Sequence, residues 1–211
     1  LDRSAAKNWK LLLHAAGMRI VNPQTPSRSF KVGQHHYDIG NDLYKVMLDK
    51  RLTYTCGYWP ASPRQDSASR GEKDAHDLDA AQEAKLDLVC RKIGLKRGDR
   101  VLDIGCGWGS FLKFAAEKYG AIGVGITVSK NQIELGRELC QGLPIEIRLQ
   151  DYREVSGKFD HVISLGMFEH VGYKNYRAFM QVAERCIKDN GLFLLHTIGG
   201  NRSRPSLVVR E

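Results

Sequence analysis

Two rhythms of apolar residues run through the chain. From Arg100 onward, short apolar runs alternate with segments whose apolar positions recur at helical spacing. Arg100 to Ile104, Ala121 to Ile126, Ile145 to Leu149, Phe159 to Leu165 and Leu192 to Thr197 read as strands. Between them, Trp108 to Tyr119 and Lys130 to Cys140 read as helices, and Gly120 stops the first. Tyr176, Phe179, Met180, Ala183 and Ile187 predict a further helix ending near Gly191. Strands alternating with helices predict an α/β domain with a parallel sheet and crossover helices. The earlier part of the chain is less regular. One helix is expected within residues 1–29, ending near Asn22-Pro23 and Thr25-Pro26. Residues 30–97 are aromatic and polar, with a loop around Ala61-Ser62-Pro63 and a helix from Asp74 to Ile93 that stops at Gly94.

Composition narrows the class. The chain has 211 residues, enough for one to two domains, and 42% are hydrophobic, ordinary for a packed core. The formal charge of +8 suits an anionic partner, but no basic cluster with interleaved aromatics supports nucleic-acid binding. No apolar run spans a bilayer and no leader pattern is visible, so a cytoplasmic protein, soluble or peripheral to a membrane, is expected. Five dispersed cysteines without a C-x-x-C pair argue against a disulfide framework or a zinc knuckle. His35, His36 and His161 lack metal-ligand spacing, so no metal is assigned. The first residue is Leu1, which points to a fragment or a processed chain.

The sharpest local signal is Val101-Leu102-Asp103-Ile104-Gly105-Cys106-Gly107-Trp108-Gly109: a strand entering a glycine turn that opens a helix. Such a turn brings backbone close to a ligand at a helix N-terminus. The spacing is G-x-G-x-G rather than G-x-G-x-x-G, and the second strand ends at Thr127 instead of an acid, which disfavours a dinucleotide. The loop suits S-adenosylmethionine, whose amino-acid end offers an amine and a carboxylate. Thr127, Ser129 and Gln132 are polar groups for its ribose, although Asn131-Gln132 also reads as an ordinary helix start.

Six segments in order resemble the cyclopropane fatty acid and mycolic acid cyclopropane synthases. They are His36 to Tyr44, Tyr54 to Trp59, Leu102 to Gly109, Thr127 to Gln132, Gly166 to Gly172, and His196 to Gly199. The resemblance implies a class I S-adenosylmethionine methyltransferase fold, a Rossmann-like sheet with an N-terminal helical cover. It divides the chain into a helical segment (1–29), the methyltransferase domain (30–201) and a tail (202–211) unlike the family, leaving the sheet incomplete at its C-terminal side. It implies transfer of a methylene to the cis double bond of an unsaturated acyl chain, the phospholipid-modifying enzymes being the closer match. A cofactor site is implied at Tyr54, Thr55, Asp103, Gly105, Cys106, Gly107, Trp108, Gly109, Thr127, Val128, Ser129, Lys130, Asn131, Gln132, Asp151 and Tyr152. A bicarbonate base is implied at Cys56, Glu169 and His196, with the Ile198 backbone nearby.

On their own these residues have plainer readings: Cys56 as a small buried hydrophobe, His196 as a satisfied core histidine, Glu169 and His170 as an exposed loop pair. Tyr37, Tyr54, Tyr58, Trp59 and Phe168 are candidates for a dry aromatic lining able to stabilise positive charge on the acyl chain. Partners expected from the resemblance are unsaturated phospholipids at an anionic membrane surface, met through the first helix (Trp9, Leu11, Leu12, Leu13, Met18 and Ile20 with Lys7, Lys10 and Arg19). The oligomeric state stays open, a homodimer being one option. The rival readings are a methyltransferase with a soluble acceptor and a truncated remnant that binds cofactor without turnover.

Overall fold

The computed structural model describes residues 40–59 and 77–200. The first helix, Tyr37, the His35-His36 pair, the first four residues of the His36 to Tyr44 segment, the loop at Ala61 to Pro63 and the tail 202–211 lie outside the described residues.

Helices α1 (Asn41–Met47) and α2 (Leu78–Lys92) precede β1 (Arg100–Ile104). Then follow α3 (Ser110–Tyr119), β2 (Ile122–Thr127), α4 (Lys130–Leu139), β3 (Ile145–Leu149), β4 (Phe159–Leu165), α5 (Tyr176–Cys186) and β5 (Ile187–His196). The five strands form one sheet in the order β3-β2-β1-β4-β5, every pair parallel. The chain turns back at β1, so the crevice for a ligand opens at the carboxyl ends of β1 and its neighbours.

Strand alternation builds two cores. Val101 and Ile163 face one side, packed with Leu86 and Val89 of α2 and Phe111, Leu112 and Phe114 of α3. Leu102, Ile104, Val124, Ile126 and Val162 face the other side, packed with Phe179, Val182 and Ala183 of α5. Asp103 alternates with Leu102 and Ile104, so it lies on the side covered by α2 and α3. On β2 the glycines take that side. A Cβ on Gly125 would stand 2.7 Å from Cys106 Sγ and 2.9 Å from Leu112 Cδ1, so the missing side chain lets α3 and the loop seat on the strand.

Caps fix the helix starts. Asp77 accepts from Asp79 N ahead of α2, and Ser129 accepts from Gln132 N ahead of α4. α3 ends at Gly120 in the left-handed conformation, as expected.

The element after β4 departs from expectation. α5 stops at Cys186, and Ile187 is already extended and paired with Phe159. Lys188 to Gly191 form an irregularity before His161 pairs with Leu192. Ile187 sits four residues after Ala183, a spacing that reads as helix, but its side chain belongs to the strand. The short helix α1 and the 3-10 turns at Tyr152–Glu154, Phe168–His170 and Tyr173–Asn175 carry no periodic signal long enough to read.

Candidate active site

Two cavities adjoin at the carboxyl ends of the strands. The first, about 170 Å³, follows the glycine loop; the second, about 400 Å³, lies beside it. Tyr54, Thr55, Gly166 and His170 line both, so this group forms the partition.

The glycine turn is held by its own backbone. Gly105 N and Cys106 N donate to the Ile126 carbonyl at 3.1 and 3.0 Å, tying the turn to the end of β2. Gly105 and Gly107 have φ of +86° and +56°, which side chains rarely adopt. A Cβ on Gly105 would collide with Met167 at 2.5 Å, whereas one on Gly107 meets nothing within 4 Å, because it would point into open cavity.

Of the residues implied for a cofactor, Tyr54, Thr55, Asp103, Gly105, Cys106, Gly107, Trp108, Thr127, Val128, Gln132, Asp151 and Tyr152 line the first cavity. Gly109, Ser129, Lys130 and Asn131 are not brought into that wall. Gly109 initiates α3, with its N donating to the Cys106 carbonyl at 2.9 Å. Ser129 caps α4, Lys130 is exposed, and the Asn131 carbonyl accepts from Asn41 Nδ2 at 3.4 Å. The helix-start reading of this segment thus describes much of its geometry. Even Thr127 and Gln132 bond to each other, at 2.7 Å.

Neighbouring elements brace the cavity wall. Trp108 is buried because α1 covers it: its indole N–H donates to Asn41 Oδ1 at 3.0 Å and its ring lies 4.8 Å from Tyr44. Gln82 and Lys85 project from α2 towards the strap 53–56. Gln82 Nε2 donates to the carbonyls of Thr53 (3.3 Å) and Thr55 (2.7 Å), and Lys85 Nζ donates to Thr55 Oγ1 at 2.6 Å. Beyond β3, Arg153 chelates Asp151 at 2.9 and 3.1 Å and lies over the Tyr152 ring. A polar residue on a helix's inner face is the signal that would have found Gln82 and Lys85.

Electrostatics single out the floor of the first cavity. Burial pushes the Asp103 carboxyl up to about 7, with the Lys85 charge working against the rise. Burial likewise pulls the Lys85 ammonium down to about 8, opposed by Cys56, Asp49 and Asp103. Asp103 Oδ1 is buried without a hydrogen-bond partner. The Cys106 thiol is driven well up by burial, which makes it an inert packing group.

The second cavity gathers residues far apart in sequence. Cys56, Glu169, His196 and Ile198 all line it. Cys56 Sγ stands 3.4 Å from His196 Nε2, and Ile198 N donates to Glu169 Oε1 at 2.6 Å. Glu169 Oε2 and His196 Nδ1 are buried without partners. The aromatic lining is smaller than expected. Of its candidates among the described residues, only Tyr54 reaches a cavity wall. Tyr58 and Trp59 are exposed, at 44% and 52%, and Phe168 stacks on Tyr176 at 4.1 Å and packs against Phe179.

Known proteins share this fold. The sequence profile of the mycolic acid cyclopropane synthetase family matches residues 24–209. The cyclopropane-fatty-acyl-phospholipid synthase of Escherichia coli K12 is 44% identical over 203 residues, 96% of this chain and 50% of that protein. Cyclopropane mycolic acid synthase 1 of Mycobacterium tuberculosis is 37% identical over 171 residues, 79% of this chain and 55% of that one. The chain therefore spans about half the length of these relatives. Among solved structures, the cyclopropane synthase MmaA2 from Mycobacterium tuberculosis superposes with a TM-score of 0.72 at 32% identity, covering 83% of this chain and 58% of that one. Mycolic acid cyclopropane synthase CmaA1, complexed with SAH and CTAB, gives 0.69 at 35%, covering 79% and 55%. The parallel sheet and its helices are thus those of an S-adenosylmethionine-dependent methyltransferase.

Proposed function

The chain belongs to the mycolic acid cyclopropane synthetase family, and on that footing we propose that it adds a methylene group from S-adenosylmethionine across the cis double bond of an unsaturated phospholipid acyl chain, closing a cyclopropane ring. One observation carries the reading. The glycine-loop cavity and the Cys56–Glu169–His196–Ile198 cavity adjoin at Tyr54, Thr55, Gly166 and His170, which sets a donor in one beside a base in the other.

S-adenosylmethionine supplies the carbon. The solved relative complexed with SAH supports that assignment. Asp103 Oδ1, buried and unpartnered, fits the donor's ammonium. The Gly107 backbone leaves room for the donor's amino-acid end, and Asp151 and Tyr152 bound the far side. Alignment of the sulfonium methyl with a weakly nucleophilic alkene is a positioning task, worth roughly 7–11 kcal/mol when complete.

Bicarbonate fits the second cavity and supplies a base for the proton lost at ring closure. The His196 ring and the Cys56 thiol are polar partners for it there, Glu169 Oε2 is an acceptor for a protonated oxygen, and the Ile198 amide is committed to Glu169 Oε1. The two orphaned atoms, Glu169 Oε2 and His196 Nδ1, are what a small, singly protonated anion would satisfy. Glu169 also holds the Ile198 amide, which fixes the segment after β5.

We propose that a phospholipid substrate is met at the inner face of a membrane. None of the helices among the described residues is long and apolar enough to cross a bilayer. Incubation with methyl-labelled S-adenosylmethionine and vesicles of unsaturated phospholipid tests the reaction. Label in lipid with the mass increment of one methylene is expected. Label only in soluble acceptors, or cofactor binding without any product, would overturn it. Stripping the buffer of carbonate should suppress turnover and its return should restore it. Vesicle binding should weaken with salt and with loss of anionic lipid.

A further inference from the structure

Lys85 is a buried cation that no motif contains. It is 5% exposed on the inner face of α2, borders the first cavity, and donates to the hydroxyl of Thr55 in the partition. The titratable groups that face it come from three places: Asp103 on β1, Asp49 in the turn after α1, and Cys56 in the strap. Asp49 is already engaged, accepting from Thr53 N at 2.6 Å and Arg51 N at 3.1 Å. Asp103 Oδ1 is not engaged. An apolar residue would fill this helix position at lower desolvation cost. The ammonium is therefore explained by what it does to Thr55 and Asp103.

We propose that Lys85 is a positioning residue that fastens the Thr55 partition between the two cavities and presents its ammonium on the same cavity wall as the unpartnered Asp103 carboxyl. Thr55 is well placed to transmit the effect. Its carbonyl is gripped by Gln82, its neighbours Tyr54 and Cys56 belong to the cavity walls, and its methyl occupies the space a Gly166 Cβ would enter at 2.5 Å. The hydrogen bond to Thr55 is charge-assisted only while Lys85 is protonated.

The inference rests on the first cavity being the donor site. The test is titration of the full chain with S-adenosylhomocysteine between about pH 6 and 9, alongside Lys85→Met and Thr55→Val. In the unmodified chain, affinity should rise as Asp103 ionises near pH 7 and fall as Lys85 discharges near pH 8. Lys85→Met should bind about tenfold more weakly at pH 7, its lower limb displaced to higher pH and its upper limb gone. Lys85→Arg should restore neutral-pH affinity without an upper limb. Thr55→Val should weaken binding severalfold at every pH and leave both limbs in place. If the unmodified chain binds no S-adenosyl ligand, the donor-site reading fails first. If it binds and Lys85→Met keeps the same affinity and profile, the role of Lys85 is overturned. Should Lys85→Met not fold, a flat profile for the unmodified chain or unaltered affinity in Thr55→Val overturns it equally.

Discussion

The two ends of the sheet are built from the same strands and treat polar groups in opposite ways. At the amino end, Asp160 accepts from Arg100 N at 2.9 Å and from Lys188 Nζ at 2.6 Å, and Asp99 accepts from Lys96 N at 2.8 Å. His161 Nδ1 is the exception there, although its Nε2 lies 3.3 Å from Asp99. At the carboxyl end, Asp103 Oδ1, Tyr152 OH, Glu169 Oε2 and His196 Nδ1 are buried with no partner. Leaving a buried polar atom unpaired costs about 1–3 kcal/mol. A fold accepts that cost where a ligand will supply the missing bond, so the amino end stabilises the domain and the carboxyl end is the one suited to the reaction proposed above.

The sharpest break in this comparison is Gly107→Val. Its side chain would occupy the open space of the first cavity at a left-handed φ, so cofactor affinity should fall by about a hundredfold or more. Calorimetric titration reads this, and unchanged affinity would remove the glycine loop from the site. Glu169→Gln keeps shape and removes charge. Turnover on unsaturated lipid, measured in a version carrying the family's full length, should drop about a hundredfold while cofactor affinity stays constant.

Lys85→Met combined with Asp103→Leu should raise stability near pH 7, by about 1–4 kcal/mol, while cofactor affinity is lost. The sign follows from the shifts. Asp103, raised from 3.8 to about 7, is penalised as pH climbs between those values. Lys85, lowered from 10.5 to about 8, is penalised at every pH below about 8. The gain should therefore shrink towards pH 4, and a lower melting temperature at pH 7 would contradict it.

At the other end, Asp160→Ala should cost about 1 kcal/mol or less and leave cofactor affinity untouched. Lys188 and the Arg100 amide hold the Asp160 pKa below its usual 3.8. Its contribution is thus complete above about pH 4 and fades as pH falls through the lowered value. A melting-temperature difference between Asp160→Ala and the unmodified chain that persists below that range would break the assignment.

Much of this division is legible in the residues. The first four strands, the second half of β5, the α3 and α4 helices, and the glycine turn read directly, because each is dictated by spacing within a dozen positions. Gly107 and Asp103 are visible as candidates for the same reason. Phe168 is not: nothing local distinguishes a ring that lines a cavity from one that stacks on Tyr176. Ile187 misleads because its spacing satisfies a helix while its backbone pairs with Phe159. Lys85 and Gln82 stand out in the sequence only as polar residues on a helix's inner face, and their partners at Thr53 and Thr55 come from a segment that only the fold lays against them.

The sequence by itself determined the alternation of strand and helix, the parallel sheet it implies, and the family, since these depend on periodicity and on motifs that are contiguous in the chain. The tertiary structure alone decided which polar groups stay unsatisfied and which meet. Cys56 and His196 are 140 residues apart in the chain, yet Sγ and Nε2 meet at 3.4 Å, and no local rule encodes such a contact. It is set by the crossover of β5 beside β4 and by α2 pressing the strap against the sheet, a balance of packing that exists only when every element is in place.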